Sequence, residues 1–342
     1  MTRQKVTISD IAKAAGVSKT TISRYLNRNY EYMSLETRTN IERIIAEYNY
    51  VPNNVARTLK SKRSKLIGVI VNNLRYQVGA QTVTGINDVC SRNGYGTVVY
   101  CTEDDPVKEE QAIQLCLNQQ MDGMVIIPCM ESSERYQELC KQGIPVMLCT
   151  RKLLDWPYGC VYVKHEEVIA RMVAHLKEQG FEKVRFLLDV NNFHKARMGS
   201  AFAAESDRLF GMKPEESVAL VGRETPKVPQ AIEAFLHDYP GERKALMAGN
   251  THTLFLTLKA LEERKLRIPE DLGVCGYDAQ GWSELVFPGI TAIRQPMDQM
   301  GILAAQEIMA SLKENRLTEH QYPLDCSVYY RSSTCIRHQE TR

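Results

Sequence analysis

The chain of 342 residues exceeds the usual size of a single hydrophobic core, so two or three domains are expected. Its 44% hydrophobic and 25% charged residues are typical of an ordinary soluble protein, and no apolar run approaches the length of a membrane span. The net charge of +2 is unevenly divided, because the part up to Arg63 carries twelve Lys and Arg against five Asp and Glu, or +7, and the remainder carries −5. The basic first part is therefore predicted to engage a polyanion.

The cysteines and histidines lack the spacing of a disulfide framework or a metal site. Ten cysteines are scattered between Cys90 and Cys335 without a CxxC pair, and no signal peptide precedes them. Reduced, mostly buried thiols in a cytoplasmic protein are the expectation. The seven histidines also lack ligand spacing, so neither a metal nor a cofactor is predicted.

Residues 6–27, VTISDIAKAAGVSKTTISRYLN, have the pattern of two short helices joined by a turn. Thr7 is expected to cap the first helix with Asp10 as its reciprocal partner, and Gly16 is expected to end it. Ser18 is expected to cap the second helix. The outward face of that helix then carries Lys19, Thr20, Ser23 and Arg24. An ordinary helical hairpin with a solvated polar face is the alternative, but the caps, turn and donor-rich face together favour a helix-turn-helix that contacts DNA.

A third helix is predicted to begin after Ser34 and to complete a headpiece over residues 1–50. Its apolar stripe comprises Ile41, Ile44, Ile45 and Tyr48. Residues 51–63 follow as a hinge, in which Pro52 breaks the preceding helix and Val55–Leu59 is too short to hold a helix alone. Spacing leaves two interpretations open, namely a segment that folds on DNA with a leucine wedge in the minor groove, or a solvated basic linker.

From residue 64 to 338, short apolar strands alternate with amphipathic helices, which is the pattern of an α/β protein with doubly wound parallel sheets. Two such series predict two lobes, lobe 1 over about 64–162 and 293–323 and lobe 2 over about 163–291 and 324–338. Helices are predicted over 81–93, 108–119, 132–142, 168–179, 198–210, 229–239, 254–264 and 297–314. Ligands of such sheets bind beyond the carboxyl ends of the strands, so a cleft between the lobes is the expected site.

Four segments make the chain resemble the lac repressor family of bacterial transcription regulators. They are TISDIAKAAGVSKTTISRYLN, the hinge YVPNNVARTLKSK, the GYD of 276–278 and the TAIRQP of 291–296. The resemblance spans nearly the whole chain and implies a small all-α helix-turn-helix headpiece, a hinge helix and a two-lobed core similar to periplasmic binding proteins. It also implies a homodimer that binds pseudo-palindromic, double-stranded operator DNA, without a membrane partner.

The resemblance assigns DNA contacts by position in these motifs. Lys19, Thr20 and Arg24 occupy the positions that reach base edges, where an arginine can pair with guanine. Phosphate-contacting positions, which fix register without reading sequence, are occupied by Thr7, Ser18, Ser23, Asn27, Ser34 and Asn53. Ala56 and Leu59 match the hinge pair of which the leucine wedges between base pairs. The turn after Asn27 is one residue longer than in the lac repressor itself, so no contacts are carried over for residues 28–33.

The core departs from the family where a small effector is expected to bind. Acidic positions of many family members are replaced here by Thr150, Lys164 and Asn250-Thr251, whereas Asp278 stays acidic. Arg75, Arg151 and Arg197 lie in segments expected to line the cleft. Arginines suit a carboxylate or a phosphate, which predicts an anionic effector such as a sugar acid or sugar phosphate. An ion pair is the alternative role for each arginine, and Lys195 is the alternative contact to Arg197.

The function implied is a repressor of carbohydrate catabolism genes, in which effector binding changes the lobe angle and the hinge spacing and so the operator affinity. The loop YEYMS is similar to that of regulators of ketodeoxygluconate and uronate use. A free sugar-binding protein is one rival, which the basic headpiece argues against, and an activator or a corepressor-dependent regulator of the same family is another. An enzyme is not predicted, because no GxGxxG follows a strand and no phosphate loop or catalytic triad stands in motif context.

Overall fold

The computed structural model describes residues 6–50, 63–74, 77–189, 192–222, 227–278 and 281–336. The chain folds as two compact units, Met1–Ser64 and Lys65–Arg342. Four residues with predicted contacts lie outside the described part of the chain: Asn53, Ala56, Leu59 and Arg75. Within the described ranges, no helix is long and apolar enough to cross a membrane.

The first unit contains the predicted helix-turn-helix and the third helix. The helices are α1 Ile8–Ala14, α2 Lys19–Leu26 and α3 Leu35–Glu47. Ile11, Ile22 and Ile41 are fully buried where the helices meet, because the apolar stripe of each helix faces the other two. The prediction was wrong for Tyr48, which is 43% exposed just after α3, while Tyr50 packs into the core.

The second unit contains twelve described strands. They are β1 Leu66–Val71, β2 Gly96–Cys101, β3 Gly123–Ile126, β4 Val146–Thr150, β5 Cys160–Val163, β6 Lys183–Leu188, β7 Val218–Leu220, β8 Lys244–Ala248, β9 Gly273–Tyr277, β10 Thr291–Arg294, β11 Gln321–Leu324 and β12 Ser327–Tyr329. They form two six-stranded sheets, β11-β5-β4-β3-β1-β2 in lobe 1 and β12-β10-β9-β8-β6-β7 in lobe 2. These strands pair in parallel except for β12, which runs antiparallel to β10. The central strands are buried on both faces, as parallel sheets covered by helices require.

Helices cover both sheets, and the predicted α/β architecture is confirmed. The helices of this unit are α4 Gln77–Arg92, α5 Pro106–Asn118, α6 Glu134–Lys141, α7 His165–Glu178, α8 Phe193–Phe210, α9 Pro214–Ser217, α10 Val228–Asp238, α11 Thr251–Glu263 and α12 Met297–Glu314. Four of them, α4, α7, α8 and α11, begin three to five residues before their predicted starts. Their first turns carry too few apolar side chains at helical spacing for the start of the helix to be predicted from apolar periodicity.

The chain passes between the lobes three times. It first enters lobe 2 between β5 and α7, close to the predicted boundary at residue 163. It returns to lobe 1 only after Arg294, because β10 belongs to the sheet of lobe 2, so the predicted boundary near 292 falls inside a strand. The third crossing follows Leu324, the last residue of β11.

Glycines let α12 pack tightly on α4 in lobe 1. A Cβ atom on Gly301 would lie 2.2 Å from the carbonyl oxygen of Thr82, and one on Gly85 would lie 2.6 Å from that of Asp298. No side chain fits between the two backbones at these points. The first turn of α4 is thereby fixed at the edge of lobe 1 that faces lobe 2.

Candidate DNA-reading surface and effector cavity

The second helix of the headpiece presents the predicted base-reading side chains to solvent. Lys19, Thr20 and Arg24 are exposed on α2, and Ser23 beside them is partly exposed. Ile22, on the opposite side of the helix, is fully buried. The apolar face therefore fixes the helix, and the polar face is free to enter a major groove.

The three N-caps of the headpiece are confirmed. Thr7 and Asp10 form the reciprocal box, in which Asp10 Oδ2 accepts from Thr7 N at 2.8 Å. Ser18 and Ser34 each accept a hydrogen bond from the backbone N–H three residues on, at 3.1 Å. Asn27 ends α2 and donates from Nδ2 to Ser23 O at 2.8 Å. Thr7, Ser18 and Ser34 hold the helix N-termini, where the remaining free backbone N–H groups suit phosphates.

The loop after α2 places an aromatic ring next to Arg24, which the sequence did not reveal. Tyr30 turns inward, with the guanidinium of Arg38 over its ring at 4.1 Å from the centroid. Tyr32 points outward, is 79% exposed, and has the guanidinium of Arg24 over its ring at 6.0 Å. The arginine that is predicted to read bases therefore has an aromatic neighbour on the exposed surface.

In the second unit, a cavity of about 130 Å³ lies between the lobes at the carboxyl ends of the strands. Its polar lining residues are Asn72, Asn73, Asp104, Thr150, Arg151, His165, Asp189, Asn192, His194, Lys195, Asn250, Thr251, His252, Tyr277, Asp278 and Gln295. Both lobes contribute, as the arrangement of two parallel sheets predicted. Four of the predicted effector contacts therefore lie together, namely Thr150, Arg151, Asn250 and Asp278.

Four helix N-termini converge on this cavity. Val78 and Gly79 come from the first turn of α4, His165 begins α7, His194 lies in the first turn of α8, and Thr251 begins α11. The free N–H groups and the helix dipole make each N-terminus locally positive. A ligand with acidic or electron-rich oxygens is favoured at such a point.

Arg151 is the cationic side chain that lobe 1 contributes to the cavity wall. It is 5% exposed, its Nη2 lies 2.6 Å from Asp104 Oδ1, and its Nη1 donates to Pro128 O at 2.9 Å. Thr150 before it has φ of +66°, a left-handed conformation that a β-branched residue rarely adopts. Asp104 also has a positive φ, of +63°. Strained backbone thus presents both partners of the ion pair, as is common at functional sites.

Lys195 is the corresponding cation of the lobe 2 wall. Its Nζ donates to Gly249 O at 2.6 Å and lies 3.8 Å from Asp189 Oδ1. Lys195 lies in the first turn of α8, which is capped by Asn192, whose Oδ1 accepts from Lys195 N at 2.9 Å. Asn192 Nδ2 is buried and has no hydrogen-bond partner among the described residues. An unpartnered donor thus lies beside the cation.

The cavity is more acidic than the sequence analysis allowed. Asp278 was expected to be its acidic residue, but Asp104 and Asp189 also line it. Each follows a strand of its sheet in a loop without a recognisable motif, so their convergence became visible only in the folded chain. Asp278 is 1% exposed and accepts from Ser283 N at 3.1 Å.

Two histidines form an edge-to-face pair on the floor of the cavity. The rings of His165 and His194 lie 4.8 Å apart at 78°, and His165 Nδ1 lies 2.9 Å from the hydroxyl of Tyr277. Burial and then the nearby Lys195, Arg197 and Arg151 lower the pKa of His165 to about 3. The pKa of His194 is lowered too, by burial first and then by His165 and the same cations. Burial is therefore the main reason that both rings are held in the neutral form.

Lys164 and Arg197 are not brought to the main cavity. Lys164 occupies the N-cap position of α7, and its Nζ turns back to Glu167 Oε1 at 3.3 Å. Arg197 lines a small side pocket of about 40 Å³, where it binds Glu166 Oε1 at 3.0 Å and Lys152 O at 3.2 Å. Helix geometry explains the difference, because Lys195 in the first turn of α8 faces the cavity, whereas Arg197 lies two positions on.

Comparisons with known proteins agree with both parts of this architecture. The model of bacterial regulatory proteins of the lacI family matches residues 7–53, and that of the periplasmic binding protein-like domain matches residues 173–334, together more than half of the chain. The HTH-type transcriptional regulator KdgR of Bacillus subtilis (strain 168) is 29% identical over 96% of this chain and 97% of its own. The HTH-type transcriptional regulator PtxS of Pseudomonas plecoglossicida is 28% identical over 98% and 97%. The solved lac repressor dimer, bound to operator and the anti-inducer ONPF, has a TM-score of 0.84 at 24% identity, over 97% of this chain and 100% of its own.

A helix-turn-helix headpiece joined to a periplasmic-binding-protein-like core defines a DNA-binding transcriptional regulator and not an enzyme. The chain belongs to the lacI family of bacterial regulatory proteins.

Proposed function

We propose that this regulator is a repressor of carbohydrate catabolism genes whose effector is a sugar acid, a polyhydroxylated monocarboxylate, bound in the cavity between the lobes. The observation that carries the proposal is the set of four helix N-termini, two cations and a buried unpartnered amide donor around one cavity. Carboxylate oxygens suit these donors. The carboxylates of Asp104, Asp189 and Asp278 suit hydroxyl groups of the same ligand.

The charges favour a monoanion over a phosphate. Arg151 has Asp104 as a partner at 2.6 Å, and Lys195 has Asp189 at 3.8 Å. Both cations are therefore partly compensated, and a dianion would meet three carboxylates around the cavity without matching positive charge. A cavity of about 130 Å³ also favours a ligand of one sugar unit, since the pockets that bind drug-sized ligands measure about 300–1,000 Å³.

The sugar acid would act by linking the two lobes. Arg197 of lobe 2 already donates to the carbonyl of Lys152 in lobe 1, so the lobes meet at the rim of the cavity. A ligand that contacts both walls stabilises one lobe angle over another. That angle controls the spacing of two headpieces in a dimer, with Asn53, Ala56 and Leu59 as predicted hinge contacts to operator DNA.

A homodimer is the assembly we propose, and an exposed apolar surface in lobe 2 supports it. Phe287 is 93% exposed, Leu285 83% and Phe255 55%, and the rings of Phe255 and Trp282 meet edge to face at 6.5 Å. Such clustered exposure is unusual in a monomer. The solved lac repressor with which the fold was compared is a dimer on its operator. Two-fold symmetry then predicts a pseudo-palindromic site.

The proposal is tested by a thermal-shift screen of D-gluconate, D-glucuronate, glucose 6-phosphate and glucose, followed by binding to a duplex that the protein selects from a random pool. A sugar acid should raise the melting temperature and weaken duplex binding about 5- to 150-fold. Stabilisation by the phosphate alone or by glucose alone would contradict the sugar-acid assignment. Tighter duplex binding with the sugar acid would instead make it a corepressor.

The role of Arg151 is tested by replacing the whole ion pair. Arg151→Met alone removes the ion-pair partner of the buried Asp104 carboxylate, and breaking a buried pair in this way costs about 3–5 kcal/mol, so Asp104→Asn accompanies it. The double variant should bind the sugar acid at least tenfold more weakly and the duplex as tightly as the wild type does. Arg135→Met with Glu110→Gln, a pair on the outer surface of lobe 1, is the matched control and should bind normally. Equal sugar-acid affinity in all three proteins would show that Arg151 does not contribute to effector binding.

A further inference from the structure

One peptide group in lobe 1 is held at both ends by charged side chains. The carbonyl of Pro128 accepts from Arg151 Nη1 at 2.9 Å, and the N–H of Cys129 donates to Glu109 Oε2 at 2.7 Å. This carbonyl and this N–H belong to the same peptide unit. Its dipole therefore lies between a cation at the oxygen end and a carboxyl group at the nitrogen end.

Glu109 is buried in a way that calls for a structural reason. It is 0% exposed, and a buried carboxyl group is costly unless it is satisfied. Cys129 Sγ donates to Oε2 at 2.5 Å, and the hydroxyl of the fully buried Tyr136 donates to Oε1. Every described contact of this carboxyl group is thus from a donor. Oε2 accepts from the N–H and the thiol of Cys129, and Oε1 accepts from the hydroxyl of Tyr136, so both carboxyl oxygens are held in place.

The surroundings of Glu109 raise its pKa, and burial is the largest cause. The hydrogen bonds from Cys129 and Tyr136 and the charge of Arg151 act in the opposite direction. The titratable groups packed against Glu109 are Cys129, Tyr136 and Arg151, with Asp104 on the far side of the guanidinium. The Pro128–Cys129 peptide donates its N–H to Glu109 at one end and accepts from the guanidinium of Arg151 at the other, whichever protonation state Glu109 has.

We propose that Glu109 is a positioning residue of the effector site, which fixes the guanidinium of Arg151 through the Pro128–Cys129 peptide. Glu109 lies in the first turn of α5, and Asp104 lies in the loop that leads into the same helix. One segment thus holds Arg151 twice, directly by an ion pair and indirectly by the oriented peptide. The inference rests on the proposed function of the cavity, and it assigns a determinant of effector affinity outside the cavity wall.

The first test observes Arg151 without any ligand. In protein labelled selectively with ¹⁵N-arginine, the side-chain signal of Arg151 is identified by its loss in the Arg151→Met/Asp104→Asn variant. Glu109→Gln should shift this signal and speed the solvent exchange of its Nε proton at least threefold. Glu110→Gln, the adjacent carboxylate that pairs with Arg135 at 2.8 Å, should leave the Arg151 signal unchanged. An unchanged Arg151 signal in Glu109→Gln overturns the proposal.

Tyr136→Phe serves if Glu109→Gln fails to fold, because it removes a single donor from the Glu109 carboxylate. It should move the Arg151 signal in the same direction by a smaller amount. No movement in Tyr136→Phe would equally contradict the relay.

The second test measures D-glucuronate or D-gluconate affinity by calorimetry in two backgrounds. Glu109→Gln should weaken binding at least fivefold in the wild-type background and less than twofold in the Arg151→Met/Asp104→Asn background. An equal loss in both would make Glu109 a purely structural residue. If the wild type binds neither probe, the proposed effector class fails, while the arginine signal still decides the role of Glu109.

Discussion

At the scale of the residue, the buried pair of His165 and His194 makes the stability of the fold depend on pH. His165 is 5% exposed, its pKa is lowered to about 3 by burial and then by Lys195, Arg197 and Arg151, and it is neutral in the folded protein. In the unfolded chain a histidine has a pKa of about 6.5. Between these two values the unfolded chain binds more protons, so the stability that neutral His165 contributes is lost as the pH falls below about 6.5.

Replacing His165 should therefore flatten the acid side of the stability profile. The urea-derived free energy of unfolding of the wild type should fall between pH 6.5 and pH 5, and His165→Gln should reduce that slope by up to about 1.4 kcal/mol per pH unit. His194 remains in the variant and keeps part of the slope, since its pKa is lowered as well. An unchanged slope in His165→Gln would show that this histidine is already charged in the folded state.

The contact between Arg24 and Tyr32 gives a second prediction at the scale of the residue. Arg24→Ala should cost about 1–3 kcal/mol of binding to the selected duplex and relax the preference at one base pair of each half-site. Tyr32→Ala, which removes the ring under the guanidinium, should relax the same base pair by about 0.5–1 kcal/mol. Tyr30→Ala is the control, because Tyr30 packs against Arg38 and should not change base preference. Binding of the wild type and variants to a panel of single-substituted duplexes measures this; a loss uniform over all sequences would make Arg24 a phosphate contact.

At the scale of the element, apolar patterning predicted what faces the core and missed what faces the cavity. The apolar run LIGVIV predicts a strand that coincides with β1 to the residue, because buried parallel strands are continuous apolar runs. The first turns of α7, α8 and α11 were missed, and those turns carry His165, His194 and Thr251. Side chains that line a ligand cavity need not be apolar, so no apolar periodicity marks them in the sequence. Arg197 illustrates a second limit, since its partner Glu166 is 31 residues away and no local pattern pairs them.

The contact between α4 and α12 gives a prediction at this scale. Gly301→Ala would place a Cβ atom 2.2 Å from Thr82 O, which is backbone and cannot move aside. The helices must separate, at a cost of about 1–3 kcal/mol in the free energy of unfolding. Gln306→Ala, at an exposed position of the same helix, should be nearly neutral. Urea unfolding measures both, and a neutral Gly301→Ala would mean that the two backbones are not in contact.

At the scale of the whole molecule, the uneven charge of the chain and the apolar surface of lobe 2 both fit a homodimer that binds DNA. The +7 up to Arg63 is suited to DNA, and the −5 of the rest limits non-specific contacts of the core. One headpiece exposes only a few base-reading side chains, so two copies at fixed spacing are needed for specificity. The dimer is therefore as much a part of sequence recognition as α2 is.

The apolar surface should decide the oligomeric state. Phe287→Glu places a charge where a side chain is 93% exposed, so the fold of the protomer should be kept while self-association is lost. Analytical ultracentrifugation should show a monomer, and binding to the selected duplex should fall at least tenfold. Leu154→Glu, at another exposed apolar position (85%) in lobe 1, should remain dimeric. A dimeric Phe287→Glu protein would place the interface elsewhere.

The convergence of helix N-termini on the cavity also bears on how this regulator can acquire a new ligand. His194 and His252 belong to first turns whose backbone is held by the rest of each helix, and neither side chain is part of the hydrophobic core. Exchanges at these positions are therefore expected to change which small molecule is sensed at little cost to folding. A library confined to these few positions would explore effector preference while the sheets, the dimer surface and the headpiece stay constant.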